Sequence, residues 1–299
     1  MLLSQRIPPA DKAAALRRAI AAGTVVMPGC FNAPVAMLAQ KLGFEAVYIS
    51  GAGLINSAGY PDIALLGMEQ VAGAAGPIAD AVDVPALCDA DTGFGEALQV
   101  MRTVRTFEAA GVAGIHLEDQ VMPKRCGHLD GKGLVPAAEM ERKLAAAVEA
   151  RENPDFLLVA RTDARAVEGF EASVERGRRY LEAGADAVFI EALQTQEEFG
   201  RYAEQVRGPL LANMTEFGKT PALTAQQFAN LGYAMVIFPM TTFRVMMKAV
   251  EGVLAEIRDQ GSPAAWLDRM QTREELYDLL RYSEYEAMDR RLAGEGGDG

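Results

Sequence analysis

Pairs of residues two positions apart, each with at least one polar or charged member, occur at five places where a short apolar run ends. The pairs are Asp89 with Asp91, His116 with Glu118, Arg161 with Asp163, Phe189 with Glu191, and Asn213 with Thr215. Side chains two positions apart on a strand share one face, so each pair can line the same side of a cavity. One pair alone is typical of a helix cap or a loop salt bridge, whereas five on one rim indicate an active site.

Four carboxylates in these segments and the loop before them favour a hard cation. Asp89, Asp91 and Glu118, together with Asp62, offer oxygen ligands and little nitrogen, which suits Mg²⁺ or Mn²⁺ better than zinc. The chain has two histidines and no HExxH motif, which argues against a zinc site. The competing interpretation is that the same acids only form salt bridges with neighbouring cations such as Arg161.

The segment Lys124–His128, with the sequence KRCGH, places a thiol beside two cations in a predicted long loop after the fourth apolar run. Neighbouring cations lower the pKa of a thiol, which makes Cys126 a candidate proton donor or acceptor. A lone cysteine is more often inert, but the flanking charges favour the catalytic interpretation here. Gly127, Gly131 and Gly133 would let this loop close over a site and exclude water.

Two further features could hold a carboxylate. The small residues of the segment Ser50–Gly53 would expose backbone N–H groups, although a plain tight turn explains the same sequence. Arg161 could bind a carboxylate with two hydrogen bonds, or could serve as a structural partner of Asp163. None of the predicted strands ends in lysine, which argues against Schiff-base chemistry.

These residues must be positioned by alternating strands and helices. Continuous apolar runs predict eight buried strands, at 24–29, 45–50, 85–89, 112–118, 156–161, 186–191, 209–213 and 234–238. Amphipathic runs predict helices between them, such as 96–110, 139–151, 171–183 and 196–206. Several helices should end at a glycine in the left-handed conformation: Gly43, Gly111, Gly184 and Gly232.

Eight β-then-α units predict an α/β fold in which the strands close into a (β/α)₈ TIM barrel. An open doubly wound sheet is the second possibility, weakened because Asn56 stands where the dinucleotide fingerprint needs its third glycine. No linker interrupts the chain, so residues 1–299 are predicted to form a single barrel domain. Residues 242–290 would add a helical extension, and 291–299 would form a disordered tail.

Composition limits the partners and the compartment. The 299 residues carry a net charge of −12 without a basic run, which argues against nucleic-acid binding. Three cysteines without paired spacing indicate a reducing compartment. Charged residues interrupt the N-terminal segment, and no apolar run is long enough for a membrane span. We therefore expect a cytoplasmic protein that acts on a small molecule.

Three motifs carry a resemblance to a known family: the KRCGH segment Lys124–His128, Asp89–Gly95 (DADTGFG) and Asn213–Gly218 (NMTEFG). The chain resembles the isocitrate lyase/phosphoenolpyruvate mutase superfamily from about Pro28 to Tyr277, and is most similar to its lyase members. The resemblance implies a barrel whose last helix, within 242–260, is swapped between subunits of a homotetrameric dimer of dimers.

The resemblance also implies a role for each matching residue. The carboxylate of a pyruvate unit would be held by Ser50, Gly51, Ala52 and Arg161. Mg²⁺ would be held, partly through water, by Asp62, Asp89, Asp91 and Glu118. Cys126 would be the catalytic acid/base, with charge supported by Tyr48, His116, Lys124 and Arg125. A succinate unit would be bound by Gly127, His128, Glu191, Asn213 and Thr215, with Arg244 nearby. Phe189 stands where the family accommodates a substrate methyl group.

The implied reaction is the Mg²⁺-dependent cleavage of 2-methylisocitrate into pyruvate and succinate. Ala52 replaces a glycine common in the family, and Ile190 replaces a proline, which leaves the choice of acid open. Isocitrate or 2,3-dimethylmalate could be the substrate of the same chemistry. Two different activities also remain open: hydrolysis or decarboxylation of oxaloacetate, and metal binding by a barrel without catalysis.

Overall fold

A computed structural model describes residues 7–129 and 131–294. The chain divides into two compact units, a barrel unit comprising Ile7–Thr242 and a C-terminal unit that begins at Phe243. Most of the predicted tail, 291–299, lies outside the described residues, and its first two residues belong to the last helix, Tyr282–Leu292.

The barrel unit contains eight parallel strands that close into a barrel in sequence order, with the last strand paired to the first. This arrangement confirms the predicted (β/α)₈ fold, and every predicted strand boundary lies within two residues of the observed one. The strands are β1 Val25–Cys30, β2 Val47–Ile49, β3 Ala86–Asp89, β4 Gly114–Glu118, β5 Leu157–Thr162, β6 Ala187–Ile190, β7 Leu210–Asn213 and β8 Met235–Phe238.

Helices precede, connect and follow the strands. Those of the barrel unit are α1 Pro9–Ala22, α2 Ala33–Lys41, α3 Gly51–Ser57, α4 Met68–Asp80, α5 Ala97–Ala109, α6 Ala137–Ala150, α7 Ala164–Val167, α8 Phe170–Glu182, α9 Gln196–Gln205 and α10 Ala225–Asn230. After β8, α11 Thr241–Gln260 leads into the C-terminal unit, which also contains a 3₁₀ turn Ala264–Arg269, α12 Arg273–Leu279 and α13 Tyr282–Leu292. None of these described helices is long and apolar enough to cross a membrane.

Local sequence signals set the helix ends. Gly43, Gly111, Gly184 and Gly232 all have positive φ angles, between 84° and 103°, as the left-handed stop signal predicts. Side chains that accept a backbone N–H begin several helices, including Asn32 before α2. The chain can therefore turn back to the next strand within a few residues.

One face of the strands fills the barrel interior. Buried residues on that face include Met27, Leu87 and Val159, and α1 adds Ala13 and Leu16 to the same cluster. The opposite faces pack against the surrounding helices in two further clusters. Such close packing on both faces makes the strand ends a rigid platform for side chains.

Candidate active site

Strand register brings the predicted site residues together at the carboxyl ends of the strands. Asp89 of β3 is paired with His116 of β4, and Glu118 of β4 is paired with Arg161 of β5. Arg161 is in turn paired with Phe189 of β6. Neighbours in a parallel ladder point to the same side of the sheet, so these side chains share one cavity rim.

Lys124 joins two of the predicted metal ligands. Its Nζ lies 2.6 Å from Asp62 Oδ1 and 2.8 Å from Asp91 Oδ1, and its side chain is 4% exposed. Burial alone would lower the pKa of this ammonium, but Asp91, Glu118 and Asp89 raise it well above its usual range. Lys124 therefore supplies a permanent positive charge among these carboxylates.

Two carboxylates at this rim are incompletely satisfied. Among the described residues, none makes a hydrogen bond of good geometry to either oxygen of Glu118, and Oδ1 of Asp91 has only its ionic contact with Lys124. Burial raises the pKa of Glu118 well above its usual range and, against the opposing effect of Lys124, raises that of Asp91 to about 6. Buried carboxylates in this state favour an additional cation.

The donor chemistry fits a hard divalent cation. The unsatisfied atoms are carboxylate oxygens, which Mg²⁺ and Mn²⁺ prefer. In the part of the chain that the structure describes, no three acidic, histidine or cysteine side chains already form a metal cage. The Lys124 ammonium forms an ion pair with both Asp62 and Asp91, so the lysine bridges these two carboxylates.

Tyr48 and His116 form a neutral pair next to Asp89. The Tyr48 hydroxyl lies 2.7 Å from His116 Nε2, and Asp89 Oδ1 lies 3.5 Å from the same nitrogen. Burial lowers the pKa of His116 to about 4 and raises that of Tyr48 well above its usual range. Both groups are therefore uncharged near neutral pH and can exchange a proton across a short contact.

The segment after β2 begins a short helix at the rim. Ser50 precedes α3, and its Oγ accepts a hydrogen bond from Gly53 N. A Cβ at Gly51 would lie 2.7 Å from Asp89 Oδ2, so only glycine allows this close approach. The N–H groups of Gly51 and Ala52 belong to the first turn, where they have no intrahelical acceptor.

Arg161 is surrounded by three acids. Its Nε lies 3.0 Å from Asp163 Oδ2 and 3.3 Å from Glu118 Oε2, and its Nη2 lies 3.2 Å from Glu191 Oε2. The guanidinium also stacks over the ring of Phe189, 4.9 Å from its centroid. Phe189 is fully buried, so it forms the floor beneath Arg161.

Glu191 has several hydrogen-bond and ionic partners. It accepts hydrogen bonds from Asn213 Nδ2 and from Ala192 N, and its Oε1 lies 3.0 Å from His128 Nε2. Burial alone would raise its pKa, but Arg161 and His128 lower it to about 2. The N–H of Lys219 donates to His128 Nδ1, which leaves Nε2, the ring nitrogen nearer to Glu191, to carry the ring proton.

Gly127 brings the Cys126 loop into contact with Glu191 and Arg161. A Cβ there would lie 2.4 Å from Glu191 Cγ and 2.5 Å from Arg161 Nη2, so the neighbouring Cys126 is carried to the same rim. Cys126 is half-buried.

The prediction that its flanking cations lower the pKa of Cys126 is wrong. Burial raises the pKa of the thiol, although the His128 N–H opposes the rise. Lys124 is paired with Asp62 and Asp91 instead, and the effect of burial on the thiol outweighs that of nearby positive charge. Cys126 therefore retains its proton near neutral pH, as a proton donor must.

For the remaining predicted residues, the structure shows their position in the fold. Ala52 and Thr215 are half-buried after β2 and β7 respectively. Arg125 bonds through its backbone to the side chain of Gln120. Arg244 lies on α11, within the C-terminal unit.

Sequence reasoning overlooked a buried network behind the rim. Asp119 accepts hydrogen bonds from Thr162 Oγ1, Tyr180 OH and Arg176 Nη1. Lys132, in the Cys126 loop, binds Asp163. A charged Arg176 on the buried face of α8, four residues before Tyr180, was the sequence signal that could have revealed this network.

Comparison with known proteins finds relatives that match most of this chain. The family model described as phosphoenolpyruvate phosphomutase matches residues 16–258. A 2-methylisocitrate lyase of Aeropyrum pernix is 54% identical over 90% of this chain and 87% of its own length. A 2,3-dimethylmalate lyase of Eubacterium barkeri is 44% identical over 90% of this chain and 93% of its own.

Two solved structures have the same fold. The crystal structure of a 2,3-dimethylmalate lyase, a member of the PEP mutase/isocitrate lyase superfamily, matches with a TM-score of 0.89 and 33% identity over 98% of each chain. A phosphonopyruvate hydrolase complex with oxalate and Mg²⁺ matches with a TM-score of 0.85 and 33% identity over 94% of this chain and 98% of its own. The chain therefore belongs to the phosphoenolpyruvate mutase/isocitrate lyase superfamily, and its sequence groups with the 2-methylisocitrate lyases.

Proposed function

We propose that this chain is a Mg²⁺-dependent carbon–carbon lyase that cleaves 2-methylisocitrate into pyruvate and succinate. The supporting observation is that a protonated thiol and a set of incompletely paired carboxylates occupy one rim. Gly127 places Cys126 beside Glu191 and Arg161, and Arg161 lies 3.3 Å from Glu118. The 54% identity to a 2-methylisocitrate lyase supports the choice of substrate.

Asp62, Asp89, Asp91 and Glu118 would hold Mg²⁺, some of them through water, with Mn²⁺ as a second choice of cation. When bound, the cation would supply positive charge that lowers the pKa of the substrate hydroxyl. The phosphonopyruvate hydrolase solved with Mg²⁺ supports this cofactor. The unsatisfied oxygens of Glu118 and Asp91 support the placement.

Ser50, the N–H groups of Gly51 and Ala52, and Arg161 would bind the carboxylate of the pyruvate half. First-turn N–H groups and a guanidinium are complementary to a carboxylate. Phe189 would support the pocket that receives the substrate methyl group. Its complete burial beneath Arg161 agrees with a role in the floor of the pocket.

Cleavage would begin when the substrate hydroxyl passes its proton to the Tyr48–His116 pair, in which Tyr48 takes up the proton and His116 Nε2, 2.7 Å from the tyrosine hydroxyl, accepts the tyrosine's own proton. The oxygen electrons then form the pyruvate carbonyl as the adjacent C–C bond breaks, and the bond electrons pass to the carbon that becomes part of succinate. Asn213, Thr215 and His128 would disperse this negative charge. Cys126 would donate its proton to that carbon and become a thiolate.

The protonation states of this site match that sequence of steps. The thiol holds its proton because burial raises its pKa. Tyr48 and His116 are neutral groups that can relay a proton, while Lys124 and Arg125 would stabilise negative charge. Glu191 would remain ionised and orient His128 and Asn213 towards the succinate half. The proton taken up by the Tyr48–His116 pair is then released to solvent, and a proton from solvent restores the Cys126 thiol, so the cycle has no net proton change.

Arg244 would contribute to substrate binding from α11. We propose that α11 is exchanged between subunits of a dimer of dimers, since none of its residues is buried within one chain. Its apolar residues include Val245, Val250 and Leu254. The cytoplasm would be the compartment in which this assembly acts.

A panel of acids tests the proposal directly. Purified protein with Mg²⁺ should release pyruvate and succinate from 2-methylisocitrate faster than it cleaves isocitrate, 2,3-dimethylmalate or oxaloacetate. Faster cleavage of 2,3-dimethylmalate would change the substrate, and release of oxalate and acetate from oxaloacetate would change the reaction class.

Cys126→Ser should abolish turnover, by at least about 10³-fold, because a serine hydroxyl is a far weaker acid than a thiol. Mg²⁺ binding, followed by calorimetry, should be unchanged. Cys30→Ala is the matched control, since Cys30 is fully buried in the core and should be dispensable. A near-normal rate in Cys126→Ser would refute the role of the thiol.

A further inference from the structure

Lys132 lies in the Cys126 loop but its side chain is directed into the barrel. Its ammonium lies 2.9 Å from Asp163 Oδ1, and the side chains of Lys132 and Asp163 are 1% and 0% exposed. The same ammonium donates a hydrogen bond to the carbonyl oxygen of Gly127. A buried lysine is costly unless it is paired, so these two contacts fix where Lys132 must lie.

Lys132 connects Asp163 to the Gly127 carbonyl, and the Asp163 end of this connection is held rigidly by the barrel. Asp163 follows β5, and its carboxylate also accepts hydrogen bonds from Arg161 Nε and Nη2, at 3.0 and 3.3 Å. The backbone N–H of Asp163 donates to Asp119 Oδ1, which is itself fully buried. Asp163 therefore provides a fixed anchor that is shared by the loop and by Arg161.

The other end is the peptide group that follows Cys126. Gly127 lies so close to Glu191 and Arg161 that even a Cβ would overlap both of them. Its carbonyl can keep this orientation only if a donor satisfies it, and Lys132 is a donor from the same loop. Orienting the Gly127 peptide also orients the preceding Cys126 side chain.

We propose that Lys132 is a positioning residue that ties the Cys126 loop to Asp163 and so holds the thiol over the substrate. The inference rests on the proposed function, because it concerns the placement of its proton donor. Lys132 does not touch the reacting atoms. It acts by restricting the loop, and a displacement of about 1 Å at a proton donor can cost about 10²-fold in rate.

The test compares Lys132→Met, which keeps the length of the side chain but loses charge and donors, with wild-type enzyme. In the Met variant kcat for pyruvate release should fall by about 10²-fold while KM changes by less than about threefold. The rate of Cys126 alkylation by iodoacetamide, located by peptide mapping, should rise by about tenfold because the loop opens more often. Lys132→Gln serves the same comparison if Lys132→Met does not fold.

Two further variants separate positioning from stability. Lys143→Met is the matched control, since the side chain of Lys143 is also buried, at 6% exposure, but its acidic partner is the exposed Glu96, at 4.0 Å. It should keep wild-type kcat and alkylation rate. Lys132→Arg retains the charge and donors and should recover kcat at least about tenfold relative to Lys132→Met.

A lower melting temperature with wild-type kcat and wild-type Cys126 alkylation would overturn the proposal, because Lys132 would then be purely structural. The alkylation measurement needs no substrate. If wild-type enzyme released no pyruvate from 2-methylisocitrate, the proposed function would fail, while faster alkylation of the Lys132 variants would still support the connection to Asp163. An unchanged alkylation rate would refute that connection whatever the substrate is.

Discussion

Glu118 and Glu191 lie at the same rim and are both 1% exposed, yet their surroundings shift the two pKa values in opposite directions. Glu191 is held by Arg161, His128 and Asn213, and these partners lower its pKa to about 2. Glu118 accepts no hydrogen bond from any described residue, and burial raises its pKa well above the usual range.

The difference shows that partners, more than burial, set the charge of these two acids. The Glu191 carboxylate has cationic and hydrogen-bond partners without any ligand and is suited to orienting His128 and Asn213. The Glu118 side has surplus carboxylate oxygen and is suited to receiving a cation. The proposed chemistry uses both halves, with Arg161 in contact with each glutamate.

Among the changes that test this comparison of the two glutamates, the largest effect should come from breaking the close contact of Gly127 with Glu191. Gly127→Ala puts a Cβ 2.4 Å from Glu191 Cγ, so the loop must move away and kcat should fall by at least about 10²-fold in a pyruvate-release assay. Gly133→Ala is the control in the same loop, because its Cβ would have 3.6 Å to the nearest atom. Equal, small losses in both variants would contradict the importance of the contact.

The rise in melting temperature on adding Mg²⁺ should differ between variants of the two glutamates. The metal should stabilise wild-type protein by about 2.7 kcal/mol at a concentration of about 100 Kd, measured as a rise in melting temperature. Glu118→Gln should lose most of this rise, since it removes a proposed ligand, whereas Glu191→Gln should retain it. The same Mg²⁺ response in all three proteins would place the cation elsewhere.

The smallest effect concerns acid stability. The folded-state pKa of Glu191 is lowered to about 2 from 4.5, so its contribution to stability is fully present above pH 4.5 and is lost as the pH falls through 2. The difference in unfolding free energy between wild type and Glu191→Gln should therefore shrink by about 1 kcal/mol from pH 7 to pH 4. Urea unfolding at both pH values measures it, and a difference that grows on acidification would contradict the assignment.

The sequence predicts the barrel and its rim because the signals are local. Apolar runs, amphipathic helices and stop glycines such as Gly111 and Gly184 depend on neighbouring residues only. Closure of eight parallel strands then places all carboxyl ends, including those that end in Asp89 and Asn213, on one side. The candidate residues could be selected at that stage.

Their pairing could not be predicted, because it depends on contacts between distant segments. Lys124 reaches Asp62 across 62 positions, and Lys132 reaches Asp163 across 31. The pKa of Cys126 was expected to fall because cations flank it in the sequence, but burial by the folded loop has the opposite effect. Local pattern identifies the groups, whereas the tertiary environment sets their charges.

The identity and isotopic content of the products test the central claim most directly. Wild-type enzyme acting on 2-methylisocitrate with Mg²⁺ in D₂O should yield pyruvate and succinate, and mass spectrometry should find one deuterium in succinate, delivered by the exchanged Cys126 thiol. Unlabelled succinate, or the absence of succinate among the products, would contradict a lyase in which a protein acid protonates the succinate carbon.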